Sequence, residues 1–446
     1  MPSLGLGYLA SVLRKDKNEV WILNCLKEKM TYKTFENFIH SEHFDIYGLQ
    51  MFSYDWDSIR KHLEIIKASN PSAITVVGGP HPSGDPTGTL KSLHNADFAF
   101  QGEAEIGLRK FIQQLNDNHS QDWSDISGLV WRGEDNKIFA NPVEVVSDLD
   151  SLGFPAWDLQ RPTEFPRAPH GAFAKNFPTA PMIITRGCPF QCTFCAGKSI
   201  SGNKLRKRSI DHVLEEINYL TGKFNVKEIH LEDECFTVHK SLVMEFCEKL
   251  LAHNVGISWG LPSGIRLDTL DREMLKQMAR AGCYSVSIGI EFGSQRVLDL
   301  AKKKLTLEMI REKIALLNET DIKTTGFFLL GLPGETKEDI QATIDFSLEL
   351  NLDRVQYNNF MPLPGSELWD ELQNRGLLKN INLNKLFVHD VAYVPKGMKA
   401  SSLKWFQRKA YLMFYLRPTT IIRLLREITS LEHLKCLLSR FLDAMK

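Results

Sequence analysis

The 446 residues are 43% hydrophobic and carry 54 basic against 54 acidic side chains. The chain can therefore bury several cores, about two to four domains' worth, while its balanced charge points to no particular partner and gives no reason to expect nucleic acid. Cys25, Cys235, Cys247, Cys283 and Cys436 are scattered without a disulfide framework, the start Met1-Pro2-Ser3-Leu4-Gly5 shows no positively charged region followed by an apolar core, and no long uninterrupted apolar run appears, so a soluble, cytoplasmic protein is expected.

In chain order, Leu4, Leu6, Tyr8, Leu9, Val12 and Leu13 fit one face of a short helix. Strands are predicted at Glu19–Asn24, Asp45–Leu49, Ala73–Val77 and Asp97–Gln101, with helices about Trp56–Ala68 and Glu105–Leu115. Short apolar strands alternating with helices indicate an open parallel sheet, whose ligands bind beyond the carboxyl ends of the strands. Two such ends stand out. Gly78-Gly79-Pro80-His81 lets backbone approach a ligand or simply turns, and Gly102-Glu103-Ala104-Glu105 offers carboxylates to a ligand or simply caps a helix.

A hairpin is predicted over residues 126–140, and Pro142, Pro155, Pro162, Pro166, Pro169, Pro178 and Pro181 make the rest of a connector, 119–181, stiff. Beyond it, strands are expected at Met182–Thr185, Glu228–Leu231, Gly264–Leu267, Ser285–Ile290, Thr325–Leu330 and Arg354–Asn359. Six helices alternate with them, about Ile210–Thr221, Lys240–His253, Asp271–Ala281, Thr306–Thr320, Lys337–Leu350 and Ser366–Arg375. These units suit an incomplete barrel with chemistry at the carboxyl ends of its strands. After the first strand comes Arg186-Gly187-Cys188-Pro189-Phe190-Gln191-Cys192-Thr193-Phe194-Cys195. Three cysteines on one short loop suit an iron-sulfur cluster with one iron left open; zinc or structural thiols are the rivals, but zinc lacks a regularly spaced fourth ligand.

This loop resembles that of radical SAM enzymes, and the resemblance runs from about Pro2 to about Trp369. It implies a 4Fe-4S cluster on Cys188, Cys192 and Cys195 whose open iron chelates S-adenosylmethionine, and reductive cleavage to a 5'-deoxyadenosyl radical. By the same resemblance Phe194 lies beside the cofactor. Glu232 and Asp233 accept from the methionine amino group, Arg266 meets its carboxylate or forms a structural ion pair, and Glu291 serves the ribose or Arg266. Glu335 in Gly331-Leu332-Pro333-Gly334-Glu335-Thr336 reads as structural.

Pro2-x-Leu4-Gly5-Leu6-x-Tyr8-Leu9-Ala10, with Gly78, Gly79, His81 and Glu103, resembles the cobalamin-binding domain of one branch of that family. There is no Asp-x-His-x-x-Gly, so no histidine is indicated as lower axial ligand. The family has a further strand before Pro2, central in the order 2-1-3-4-5. Its absence implies either that the true start lies upstream or that the domain is degenerate.

The fold expected is α/β. It comprises a flavodoxin-like (Rossmann-type) B12-binding domain lacking its first strand (1–118), the connector (119–181), a partial (β/α)6 radical SAM barrel (182–375) and a helical C-terminal region (376–446). In that last region, from Ser401 on, nine basic residues face three acidic ones. The tail packs on the barrel or rests peripherally on anionic lipid. The function expected is cobalamin-dependent methylation, or radical rearrangement or cyclisation, of a small-molecule or lipid-like substrate, with a flavodoxin- or ferredoxin-type reductant. The alternatives are a cobalamin-independent enzyme such as a methylthiotransferase, and a non-enzymatic cobalamin or redox sensor.

Overall fold

The computed structural model describes residues 1–116, 122–168, 174–387, 389–428 and 430–445, with nothing said of the side chains of 443–445. The predicted boundary after Asn118, Pro169 and Lys446 lie outside the described residues.

The first sheet holds β1 (Ile46–Gln50), β2 (Ile74–Gly78) and β3 (Phe98–Phe100) in parallel, then β4 (Leu129–Arg132) antiparallel to β3 and β5 (Ile138–Ala140) antiparallel to β4, in that order. The hairpin predicted in the connector thus extends this sheet. Val77 and Ala99 bury one face against Ile59 and Leu63 of the helix Trp56–Ser69, residues spaced i, i+4.

The strand predicted at Glu19–Asn24 does not form. Its apolar run has no neighbouring strand to pair with, and Trp21 stays 53% exposed; strand-forming side chains make a strand only where a partner supplies the ladder. The gap expected in the middle of the sheet is therefore at its edge. The sheet ends at β1, leaving one row of backbone groups unpaired instead of two.

The second sheet is the open barrel. It is built from β6 (Thr179–Met182), β9 (Glu228–Leu231), β10 (Ser258–Ile265), β11 (Cys283–Glu291), β12 (Lys323–Leu330) and β13 (Arg354–Asn359), all parallel. A small hairpin, β7 (Thr185–Arg186) with β8 (Arg206–Lys207), brackets the cysteine loop. β6 begins earlier than predicted because Pro181, which lacks an N–H, is tolerated at an edge. The third barrel strand likewise lies N-terminal to its predicted place, and its pairing with β11 is interrupted between Leu261 and Ile265.

At the other edge, β13 would expose unpaired backbone. The helix Ala400–Tyr415 covers it with polar side chains at i, i+4 and i+8. Gln407 donates to the Tyr357 carbonyl at 2.7 Å, the Tyr357 N–H donates to the Tyr411 hydroxyl at 3.1 Å, and the Val355 N–H to the Tyr415 hydroxyl at 3.2 Å. The aromatic stripe of this helix is thus both packing and an edge cap, a standard protection for exposed ladders.

The turn after β12 is held by Glu335, whose Oε2 accepts from the Gly331 and Leu332 N–H groups while Oε1 is buried without a partner. Burial pushes this carboxyl up to about 8 from 4.5, against those two hydrogen bonds. A folded-state pKa above the unfolded value contributes stability fully present below pH 4.5 and lost as pH rises through about 8. Thermal midpoints across that window are expected to fall in the native chain relative to Glu335→Gln; parallel curves would contradict the assignment.

Candidate active site

The cysteine loop leaves β7 through Gly187, at φ +93°, where a side chain would meet the Lys204 carbonyl at 2.3 Å, so only glycine fits. Its far end is tied down twice. The Thr193 N–H donates to the Ala301 carbonyl at 3.1 Å, and the Leu368 N–H donates to the Thr193 carbonyl at 3.0 Å. The loop is therefore fixed by elements after β11 and β13 as well as by its own hairpin.

All three cysteines are free thiols. Cys188 accepts from the thiol of buried Cys235, which holds it low, at about 6, and drives Cys235 up. Burial raises Cys192, with Lys303 and Arg266 opposing, and pushes Cys195 up to about 11 against a hydrogen bond from the Gly197 N–H. Among the described residues no three His, Cys, Asp or Glu side chains could hold a single metal ion. A cubane makes no such demand, since each corner iron takes its own thiolate. Three thiols on one loop, with two cations beside Cys192, fit that donor set.

Those cations are only partly where the sequence put them. Arg266 forms the structural ion pair, bidentate to Asp268 at 3.0 Å, and also donates to the Lys303 carbonyl at 2.8 Å. Its guanidinium lies 3.7 Å from the Phe190 ring centroid and 3.9 Å from the Cys192 Sγ. Glu291, at φ +70°, meets Lys303 at 2.9 Å instead of Arg266, because the backbone after Leu298 carries Lys303 to the top of β11. Burial opposes the Lys303 charge, but Glu291 and Cys192 outweigh it and the net shift is upward. Lys303 also approaches Phe194, at 6.0 Å from the ring centroid, and Phe194 packs edge-on against Phe292.

The two acids after β9 divide. Glu232 stays at the mouth, accepting from the Ser263 hydroxyl at 2.5 Å. Asp233 is buried and points the other way, holding the Ile184 N–H at 3.1 Å and the Thr185 hydroxyl at 2.6 Å, so it brackets β6 to β7 and leaves no oxygen for a ligand. Glu234, which the sequence reading passed over, accepts from the Gly187 N–H at 2.9 Å, and burial raises it to about 7. No local signal separates it from its neighbours; the fold alone turns it to the loop.

The first sheet presents its carboxyl edge to this mouth. After β2 the helix Pro80–Gly84 runs against the turn after β13, and a side chain on Gly84 would meet the Pro364 carbonyl at 2.1 Å. After β3, Glu103 is not free for a ligand: it accepts from Arg206 at 2.5 and 2.7 Å and from the Val146 N–H at 3.1 Å, while Glu105 meets Arg186 at 2.7 Å. This buried clasp ties the first domain to the hairpin that carries the cysteine loop. A side chain starting at Gly78 would meet Phe100 at 3.9 Å, an ordinary contact, whereas Gly79 is needed for its φ of +108° beside the Met51 backbone. His81 is buried, its Nδ1 2.8 Å from the Ser53 hydroxyl and its Nε2 without a partner; burial lowers it to about 4, so the ring is neutral. An orphaned imidazole nitrogen near a glycine turn at the carboxyl edge fits a corrinoid-binding face.

Residues 182–347 match the radical SAM superfamily and residues 1–112 match the B12 binding domain. The chain is 29% identical to an uncharacterized methyltransferase of Pyrococcus horikoshii, over 95% of this chain and 89% of that protein. It is also 29% identical to the cytidylyl-2-hydroxyethylphosphonate methyltransferase of Streptomyces wedmorensis, over 84% and 78%. Its fold matches that of the cobalamin-dependent S-adenosylmethionine radical enzyme OxsB with a TM-score of 0.73 at 18% identity, covering 100% of this chain and 68% of the other. With a cysteine-bearing barrel under a sheet of this topology, and both patterns in this order along one polypeptide, the chain belongs to the radical SAM superfamily, in the branch that carries a B12-binding domain.

Proposed function

We propose that this radical SAM enzyme transfers a methyl group to an unactivated carbon of a small molecule, with a 4Fe-4S cluster, S-adenosylmethionine and cobalamin as cofactors. The observation that carries the reading is the opposition of two carboxyl edges, with the B12-binding sheet held over the cysteine loop by the Glu103–Arg206 and Glu105–Arg186 pairs. When bound, the cluster and S-adenosylmethionine supply hydrogen abstraction from carbon, and cobalamin supplies a transferable methyl group.

The protein's part is to bind and aim. Cys188, Cys192 and Cys195 are the cluster ligands in this proposal, and Arg266 stabilises the Cys192 thiolate through its charge while stacking on Phe190. Glu232, an acceptor at the mouth, suits the cationic amino group of the methionine moiety, and Lys303, with Glu291 beside it, suits its carboxylate or the ribose. Phe194 walls this side. Gly78 and His81 are assigned to the corrinoid face. Glu103 is a positioning residue that acts through Arg206. A flavodoxin- or ferredoxin-type protein is the reductant proposed, and the substrate is a small or lipid-like molecule.

The test is anaerobic reconstitution with iron and sulfide, addition of cobalamin, reduction, and supply of S-adenosylmethionine labelled in its methyl group. Deoxyadenosine formation and retention of corrinoid absorbance through gel filtration are the expected results. Deoxyadenosine without retained corrinoid would move the chain to the cobalamin-independent reading, and neither product would remove the enzymatic one.

A further inference from the structure

No helix among the described residues is long and apolar enough to cross a membrane, yet the last two helices expose several aliphatic side chains. In Pro418–Glu427 the exposed Ile421, Ile422 and Leu425 share a face at i, i+1 and i+4. In Leu431–Met445 the exposed Leu431, Leu438 and Leu442 share one at i, i+7 and i+11. Leu425, Leu431 and Leu442 are 61%, 78% and 61% exposed. Beside these faces Arg426 and Lys435 are exposed and form no ion pair among the described residues. Glu427 is turned inward, to Arg354 at 2.5 Å, which leaves Glu432 as the exposed acid described here.

We infer that these two helices rest on the surface of an anionic lipid bilayer, aliphatic faces inward and Arg426 and Lys435 at the headgroups. Aliphatic stripes flanked by basic residues match such a surface in both polarity and charge. A second copy of the chain is a poorer occupant, because it would bring Arg426 and Lys435 of both copies into one contact with Glu432 as the exposed acid to offset them. The placement also fixes orientation. The helix Pro418–Glu427 is anchored to the starts of the barrel strands, Glu427 to Arg354 of β13 and to Lys323 of β12, and Arg423 to the Leu352 carbonyl at 3.2 Å. The cysteine loop follows the opposite ends of those parallel strands, so the mouth of the barrel turns away from the lipid and takes substrate and reductant from the aqueous side.

The experiment is co-sedimentation of the full chain with vesicles of phosphatidylcholine alone and of phosphatidylcholine with phosphatidylglycerol. Binding is expected to the second only, and to weaken as salt rises. The double variant Arg426→Gln, Lys435→Gln is expected to bind roughly 30-fold more weakly. The pair Leu425→Ser, Leu438→Ser, whose side chains are exposed in the fold, is expected to bind weakly while keeping the native circular dichroism spectrum. Equal binding to neutral vesicles or undiminished binding by the double basic variant would overturn the inference, as would a lipid-free dimer that the leucine variant splits.

Discussion

Glu103→Gln is expected to loosen the first domain from the barrel while the cluster still assembles. The Glu103 carboxylate is 5% exposed and sits between Arg206, at 2.5 Å, and Arg186, at 3.6 Å. Arg186 also lies over the Tyr8 ring at 5.1 Å, so the first helix of the chain shares the same cation. Removing that charge leaves the Arg206 guanidinium without its carboxylate, while Arg186 keeps Glu105, in a region with little water, at a cost of about 3–5 kcal/mol. An exposed pair such as Arg60 with Glu64 would change stability by no more than about 1 kcal/mol.

The functional signature is a split. In Glu103→Gln, deoxyadenosine formation should persist, because the cysteine loop keeps its ties to Ala301 and Leu368, while transfer of the labelled methyl group should fall with the loss of domain registry. Urea unfolding of Glu103→Gln, Arg206→Gln and the double variant checks the energetic side, since a non-additive cycle is what direct partners give. Additive effects, or loss of both products together, would mean that the clasp does not set the relation between the two domains.

Cys192→Ala is expected to abolish both the charge-transfer absorbance of reconstituted protein and deoxyadenosine formation. Cys192 lies beside the local cations, with Arg266 at 3.9 Å, and no nearby cysteine can replace it: Cys235 is buried and occupied with Cys188. Cys436→Ala, on the C-terminal helix Leu431–Met445, should leave both readouts unchanged. If Cys192→Ala retained iron, sulfide and colour, the loop would not be the ligand set.

Most of the barrel was legible because its strands and helices alternate with clean apolar periods. Glu228–Leu231 and Arg354–Asn359 have the bounds read from sequence. The cysteine loop was legible because its thiols are neighbours along the chain. What the sequence hid depends on contacts between distant segments. Arg206 and Glu103 are separated by 103 residues, and Lys303 reaches the site only through the turn that follows β11. Asp233 and Glu234 are adjacent, and only the fold decides which one brackets a strand and which one meets the loop. Glu19–Asn24 failed for the complementary reason, since local preference was present and the pairing partner was not.

The most direct measurement is Mössbauer spectroscopy of protein reconstituted with isotopically enriched iron, recorded before and after S-adenosylmethionine is added. A cluster held by three thiolates on one loop should show a single iron site change on addition while the others keep their parameters. Spectra that stay identical, or iron sites that all shift together, would contradict an open corner at the Cys188, Cys192 and Cys195 loop.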